Sequence, residues 1–122
     1  MRLNYLEFDY SEDADGVGTF DALAATAPAH NTAVLAEVAV VLTWAHAAFE
    51  AQRAPLEEGG EWDYDLQGWR EFSAVDALDF DEDSGELSLQ PQAAGAARHS
   101  VSLSITGTPD FCTAFRERFH AS

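Results

Sequence analysis

Residues 28–52 constrain this chain more than any other stretch, because no other run is as long, as apolar and as free of internal breakers. Leu35, Val38, Leu42, Ala45 and Phe49 recur at alternating gaps of three and four, which sets them on one stripe of a helix. Val34, Val41 and Ala48 widen that stripe. Pro28 suits the first turn, where its missing N–H is not needed, and Thr26 stands where a capping side chain would. The run should end around Arg53-Ala54-Pro55, since Pro55 disfavours helical backbone at Ala54. At about 1.5 Å per residue the helix is a rod of roughly 35 Å, long enough to cross a small domain. Whatever the fold, it must supply an apolar layer for this rod.

The opposite side of the predicted helix carries Ala33, Glu37, Val40, Trp44 and Ala47, with a single charge. Two accounts fit so dry a second face. Loops or the C-terminal helix cover it, or it is a subunit or partner contact centred on Trp44 and Val40, aromatic anchors being enriched at interfaces. His46 falls inside the apolar stripe. It reads as a neutral core residue, because a working histidine needs a partner and none is visible.

At 122 residues the chain suits one domain, and a core without staples is feasible at this size. With 47% hydrophobic residues it is not disordered by composition. No uninterrupted apolar run reaches the roughly 20 residues of a membrane span. Residues 1–7 lack the apolar core of a signal peptide, and Cys112 is alone, so the expected location is the cytoplasm. The charge is lopsided: 22 acidic residues stand against 6 arginines, with no lysine, for a net charge of −16. Such a surface repels phosphate backbones and anionic membranes. It excludes Schiff-base and phosphate-loop lysine chemistry. Its field favours a cation or a basic protein.

Leu6, Phe8 and Tyr10 alternate with polar residues, as a strand with one buried face would. Asp15-Gly16 is a turn dipeptide, and residues 18–26 should return as a second strand. After the loop 53–60, Trp62, Tyr64 and Leu66 face one way, while Glu61, Asp63, Asp65 and Gln67 face the other. Gly68 suggests a bulge or bend, and residues 69–75 an irregular or extended continuation. Leu78 and Phe80 match Leu87 and Leu89 as inward residues of a hairpin turning at Glu82-Asp83-Ser84-Gly85. Residues 91–97 form a loop of small residues. Val101, Leu103 and Ile105 alternate with serine and threonine in a last strand. Thr108-Pro109-Asp110 then opens a helix bearing Phe111, Phe115 and Phe119, with Arg116, Arg118 and His120 near its C-terminal end. The sum is a two-layer α+β domain. A mostly antiparallel sheet of about five strands carries one long and one short helix, in the order β-β-α-β-β-β-α. A ferredoxin-like order is the alternative if residues 18–26 are not a strand.

If these strands share one sheet, its outer face gathers Glu7, Asp9, Asp21, Glu61, Asp63, Asp65, Asp79, Asp81 and Glu86. The carboxylates are then solvated, or dock a basic protein, or converge in twos and threes on a divalent cation. Residues 79–86 depart from a calcium loop in the placing of glycine and of the last acid, and read as a turn. The acidic loop 57–65 is where acid–base work would sit, with Glu57, Glu58, Asp63 and Asp65. The four histidines show no metal-ligand spacing, and no cofactor is implied. The expected function is a non-enzymatic protein-binding domain, of an antagonist or immunity type or a homodimeric accessory protein. Its expected contacts are Trp44, Val40, Glu61, Asp63, Asp65, Asp79 and Asp81, and its partner a basic protein or a second copy. The alternative is a small metal-dependent or acid–base hydrolase using the loop 57–65.

Overall fold

The period-two runs pair into two antiparallel sheets in the computed structural model, which describes residues 1–119. The order is β1 (Asp9–Glu12), β2 (Gly18–Thr26), α1 (Pro28–Ala48), a 3₁₀ turn (Leu56–Glu58), β3 (Trp62–Glu71), β4 (Asp76–Asp81), β5 (Glu86–Pro91), β6 (Arg98–Gly107) and α2 (Pro109–Phe119). The main sheet runs β1-β2-β6-β3, and β4 pairs only with β5. This is the expected α+β succession with one strand more, four following α1 instead of three, and the 78–90 hairpin forms a sheet of its own. Residues 18–26 are a strand, nine pairs long against β6. His120 lies outside the described residues.

One face of the main sheet is apolar through Phe20, Ala22, Ala24, Val101, Leu103 and Ile105, all buried. Both helices pack on that side. α1 contributes Val34, Val38, Val41 and Ala45, and α2 contributes Phe111, Cys112, Phe115 and Phe119. By length and composition α1 is apolar enough to cross a membrane; in this fold its valine side lies on the sheet. Gly18 and Gly107 pair across β2 and β6, where α2 comes closest. A side chain at Gly18 would meet the Cys112 sulfur at 2.7 Å, and one at Gly107 would run into the Phe111 ring. The absence of side chains there lets α2 lie flat.

Several local expectations are corrected. Thr26 stays in β2, paired with His99, so the N-cap falls to Ala27 without a side-chain bond. Thr26 Oγ1 is left buried and unbonded. α1 stops at Ala48 rather than continuing to Gln52. Phe49 turns inward to within 5.0 Å of Phe111, and its carbonyl accepts a bond from Trp62 Nε1 at 3.4 Å. The buried stripe is rotated by about one residue, so Leu35 is 48% exposed. The cause is Trp44, drawn inward by Phe111, Phe115 and Phe119 at 5.4–5.9 Å. His46 is exposed for the same reason, and stands edge-on to Trp62 at 4.9 Å. Gly68 pairs in register with Val101 without a bulge, and the extended alternative for the chain after it holds as far as Glu71, where β3 ends. Backbone pairing of the first strand begins only at Asp9, although Leu6 and Phe8 are buried as expected.

Glu37, placed by helical period on the side of α1 away from the sheet, is not simply solvated. Its carboxylate accepts the backbone N–H groups of Asn4, Tyr5 and Leu6 at 2.7–3.0 Å. One side chain thereby fastens the N-terminal segment along α1 and seats Leu6 in the core. Charge-assisted bonds of this kind contribute more than neutral ones. Glu37→Ala should therefore lower stability by about 1–3 kcal/mol in urea unfolding, while Glu37→Gln recovers part of the loss.

At the other edge, Tyr10 donates its hydroxyl to Glu12 Oε2 at 2.8 Å, and this bond, with burial second, pushes its pKa from 10.0 up to about 12. A raised phenol pKa means that this contribution to stability is whole below pH 10.0 and is lost as pH rises through about 12. Phenolate absorbance should show one tyrosine titrating late, and Glu12→Gln should bring it back towards the ordinary value.

Candidate functional site

β3 and β6 do not end at the edge of the domain. Between the Glu71↔Arg98 and Asp76↔Pro91 pairs, one strand spends residues 72–75 and the other residues 92–97. The two links stay joined: Gly95 N–H donates to the Ser73 carbonyl at 2.9 Å and Gln92 N–H to the Val75 carbonyl at 3.1 Å. The ladder then resumes as β4 and β5. The result is one long ribbon whose outer part projects from the main sheet as an arm. At about 3.3 Å per residue, residues 72–81 extend it by roughly 33 Å.

The arm has two unlike faces. Leu78 pairs with Leu89 and Phe80 with Leu87, so these four share one side. Their alternation predicts an inward face, but no second layer covers them, and they are 55–65% exposed. The physical reason is that both helices are already spent on the β1-β2-β6 part of the main sheet. The other side of the arm carries Asp79 opposite Ser88 and Asp81 opposite Glu86. Asp81 Oδ1 also accepts the N–H groups of Asp83 and Ser84 at 2.9 and 3.3 Å, and Gly85 turns with φ 74°. The letters that resemble a calcium loop thus build the hairpin turn.

Beside the arm's root the main sheet is open. Leu66 pairs with the buried Leu103, yet is 42% exposed, because α1 does not reach the distal half of β3. A groove of about 230 Å³ lies there, lined by Leu35 and Asn31 of α1 and by Gly68, Arg70, His99 and Val101 of the sheet. Arg98 stands at the same end and donates to the Ala25 carbonyl at 3.1 Å. Among the described residues neither Arg70 nor Arg98 meets a carboxylate, and the ion pair formed is Arg53–Asp63 at 3.0 Å.

The sequence-predicted contact residues do not form one patch. Trp44 is half-buried under the α2 phenylalanines, and Val40 is exposed on the outer side of α1. Glu61 accepts the Thr108 hydroxyl at 2.7 Å and so steadies the start of α2. Asp63 and Asp65 share the outer sheet face with Asp9 and Asp21, separated by Ser104 and Thr106 of β6. Asp79 and Asp81 are away on the arm, so the carboxylates expected on one sheet divide between two. Glu57, Asp63 and Asp65, with Ser104 and Thr106, line a depression of about 330 Å³. Asp63 is held there by Arg53, whose guanidinium also lies 4.2 Å over the Tyr64 ring, and Asp65 accepts a bond from Gln67. Open to water, these acids suit the attraction of positive groups. No three His, Cys, Asp or Glu side chains among the described residues lie close enough to hold a metal. Cys112 is buried with its pKa raised by that burial, and its thiol donates to the Gly107 carbonyl at 3.4 Å. It packs, as expected.

No protein-family model matches this chain, and no curated protein or solved structure matches it either.

The sequence signalled the arm's residues but not their exposure. The one available clue was arithmetical: two helices have too little area to cover six strands. If the arm's apolar face belongs to binding rather than to the core, Phe80→Ser should change the unfolding free energy of the unbound, dissociated domain by less than about 0.5 kcal/mol. Leu103→Ala, beneath the helices, should lower it by about 2–5 kcal/mol.

Proposed function

We propose that this chain is a non-enzymatic protein-binding domain, and that it binds through the apolar side of the β4–β5 arm together with the open groove beside α1. The observation that carries the reading is the arm itself. Four large apolar side chains stand in two cross-strand pairs on a ribbon that none of the other described residues covers. A two-stranded ribbon alone in water is marginal, and Asp81 facing Glu86 weakens this one further. Contiguous exposed apolar surface rimmed by polar groups is characteristic of interaction sites. An arm of this construction gains its stability by being covered.

A second reading has its own support. Asp9, Asp21, Asp63 and Asp65 on the outer sheet face would attract a basic partner, in keeping with a net charge of −16. The two differ in their response to salt, because screening weakens exposed charge pairs and leaves apolar contacts intact.

A photo-crosslinking residue placed at Leu89, and separately at Asp21, tests the choice in cell extract at about 0.1 M and about 1 M salt. Protein adducts at position 89 that persist in high salt are expected. Adducts confined to position 21 and lost in high salt would replace the arm with the acidic face. The absence of a protein adduct at either position would overturn the binding reading as a whole.

A further inference from the structure

We infer that the arm's partner is a second copy of this chain, each arm lying in the other's groove about a two-fold axis. The inference rests on the protein-binding reading of the arm and adds the occupant.

Three observations single out a second copy. First, the chain carries both halves of one contact: a protruding apolar face and, at the arm's root, an unfilled groove with Leu35 on its α1 wall. A two-fold axis satisfies both at once and leaves neither over, as closed dimers do. Second, the charges are complementary. The arm bears Asp76, Asp79, Asp81, Glu82, Asp83 and Glu86 and no base. The groove wall bears Arg70 and His99, and Arg70 forms no ion pair with a carboxylate of its own chain among the described residues, while Arg98 lies on the other sheet face opposite Glu71. In so acidic a molecule, an arginine left without an ion pair on the groove wall is a local site for an acidic ribbon.

Third, the area is sufficient. The arm offers Leu78, Phe80, Leu87 and Leu89, and its root and the groove offer Leu35, Leu66, Phe72 and Val75, all 42–73% exposed. At roughly 100 Å² apiece, less than the ~150–250 Å² of a wholly buried aromatic, this is up to about 800 Å² per chain. A stable interface takes about 800 Å² from each partner. The reach also fits. A body of this size is roughly 35 Å across, which an arm of about 33 Å spans. The arm does not close on its own groove, because the paired links at Ser73–Gly95 and Val75–Gln92 carry it outward from the sheet.

Light scattering on the purified chain decides the matter. The native protein should have twice the chain mass of 13.3 kDa at micromolar concentration, and high salt should weaken the dimer without abolishing it, because screening removes the charge contribution and leaves the apolar one. An arm variant, Phe80→Glu with Leu89→Glu, and a groove variant, Leu35→Glu, should each fall to monomers, with self-association weakened by about 100-fold or more. Mixed together, the two variants should form a heterodimer, since one keeps a sound groove and the other a sound arm. Should a charged variant fail to fold, native chains bearing Leu89→Cys and Leu35→Cys, mixed and oxidised, should form a disulfide only between unlike chains. A native monomer at every concentration would overturn the second copy. So would a dimer that survives both variants, or variants that dissociate and fail to complement. The crosslinks at position 89 judge the binding reading separately: adducts with a different protein would uphold the arm as a binding element while removing the self-contact.

Discussion

Trp62 holds the two halves of this molecule in relation to each other. Its indole is fully buried and lies parallel to the Phe111 ring, 5.6 Å away at 4°, which fixes α2 against the start of β3. Its N–H reaches the carbonyl of Phe49, which ends α1 and turns the chain towards the loop. Across the strand it faces Gly107, whose missing side chain leaves room for Phe111. A large aromatic beside a glycine is a packing solution that no aliphatic pair would reproduce, since it needs both the volume and the gap. Once that seam is set, α1, α2 and the N-terminal segment are committed to one end of the sheet.

The commitment produces an imbalance. Phe8, Phe20, Trp44, Phe115 and Phe119 crowd over β1, β2 and the near part of β6, with ring centres 4.3–6.5 Å apart. Glu37 adds the N-terminal strap to the same side. Among the described residues nothing remains to roof the far half of β3 or the ribbon beyond it. The molecule is thus a well-filled body joined to a bare extension, and the difference between them is one of covering layer, not of apolar content.

The sequence revealed much of this and concealed the rest for identifiable reasons. Alternation in residues 61–67 and 100–106 placed those strands and which residues share a side, with Ser100 the exception to the wet face because it is buried, since a half-buried strand writes its environment into every second residue. Thr108, Pro109 and Asp110 announced α2 through local capping chemistry, and the Phe111 N–H does point to the Thr108 hydroxyl oxygen. The roll of α1 was not legible. Leu35 and Val34 belong to equally regular stripes, and the choice was made by aromatic rings more than sixty residues away. The exposure of Leu78, Phe80, Leu87 and Leu89 was not legible either, since alternation tells which residues share a side and not whether anything lies upon it. The role of Glu37 was hidden because its partners are backbone N–H groups, which leave no mark in the letters.

The pairing of Asp81 with Glu86 near the tip of the ribbon has a consequence for the newly made chain. A bare hairpin with leucine and phenylalanine on one side and unpaired strand edges is a seed for edge-to-edge stacking. Stacking copies of this one in register would bring those two carboxylates, with Asp79, Glu82 and Asp83, into a column of like charge. Mutual repulsion along such a column limits growth into fibres, while a single discrete contact that leaves the charged side in water escapes it. The acidity of this segment thereby acts as a brake on runaway polymerisation.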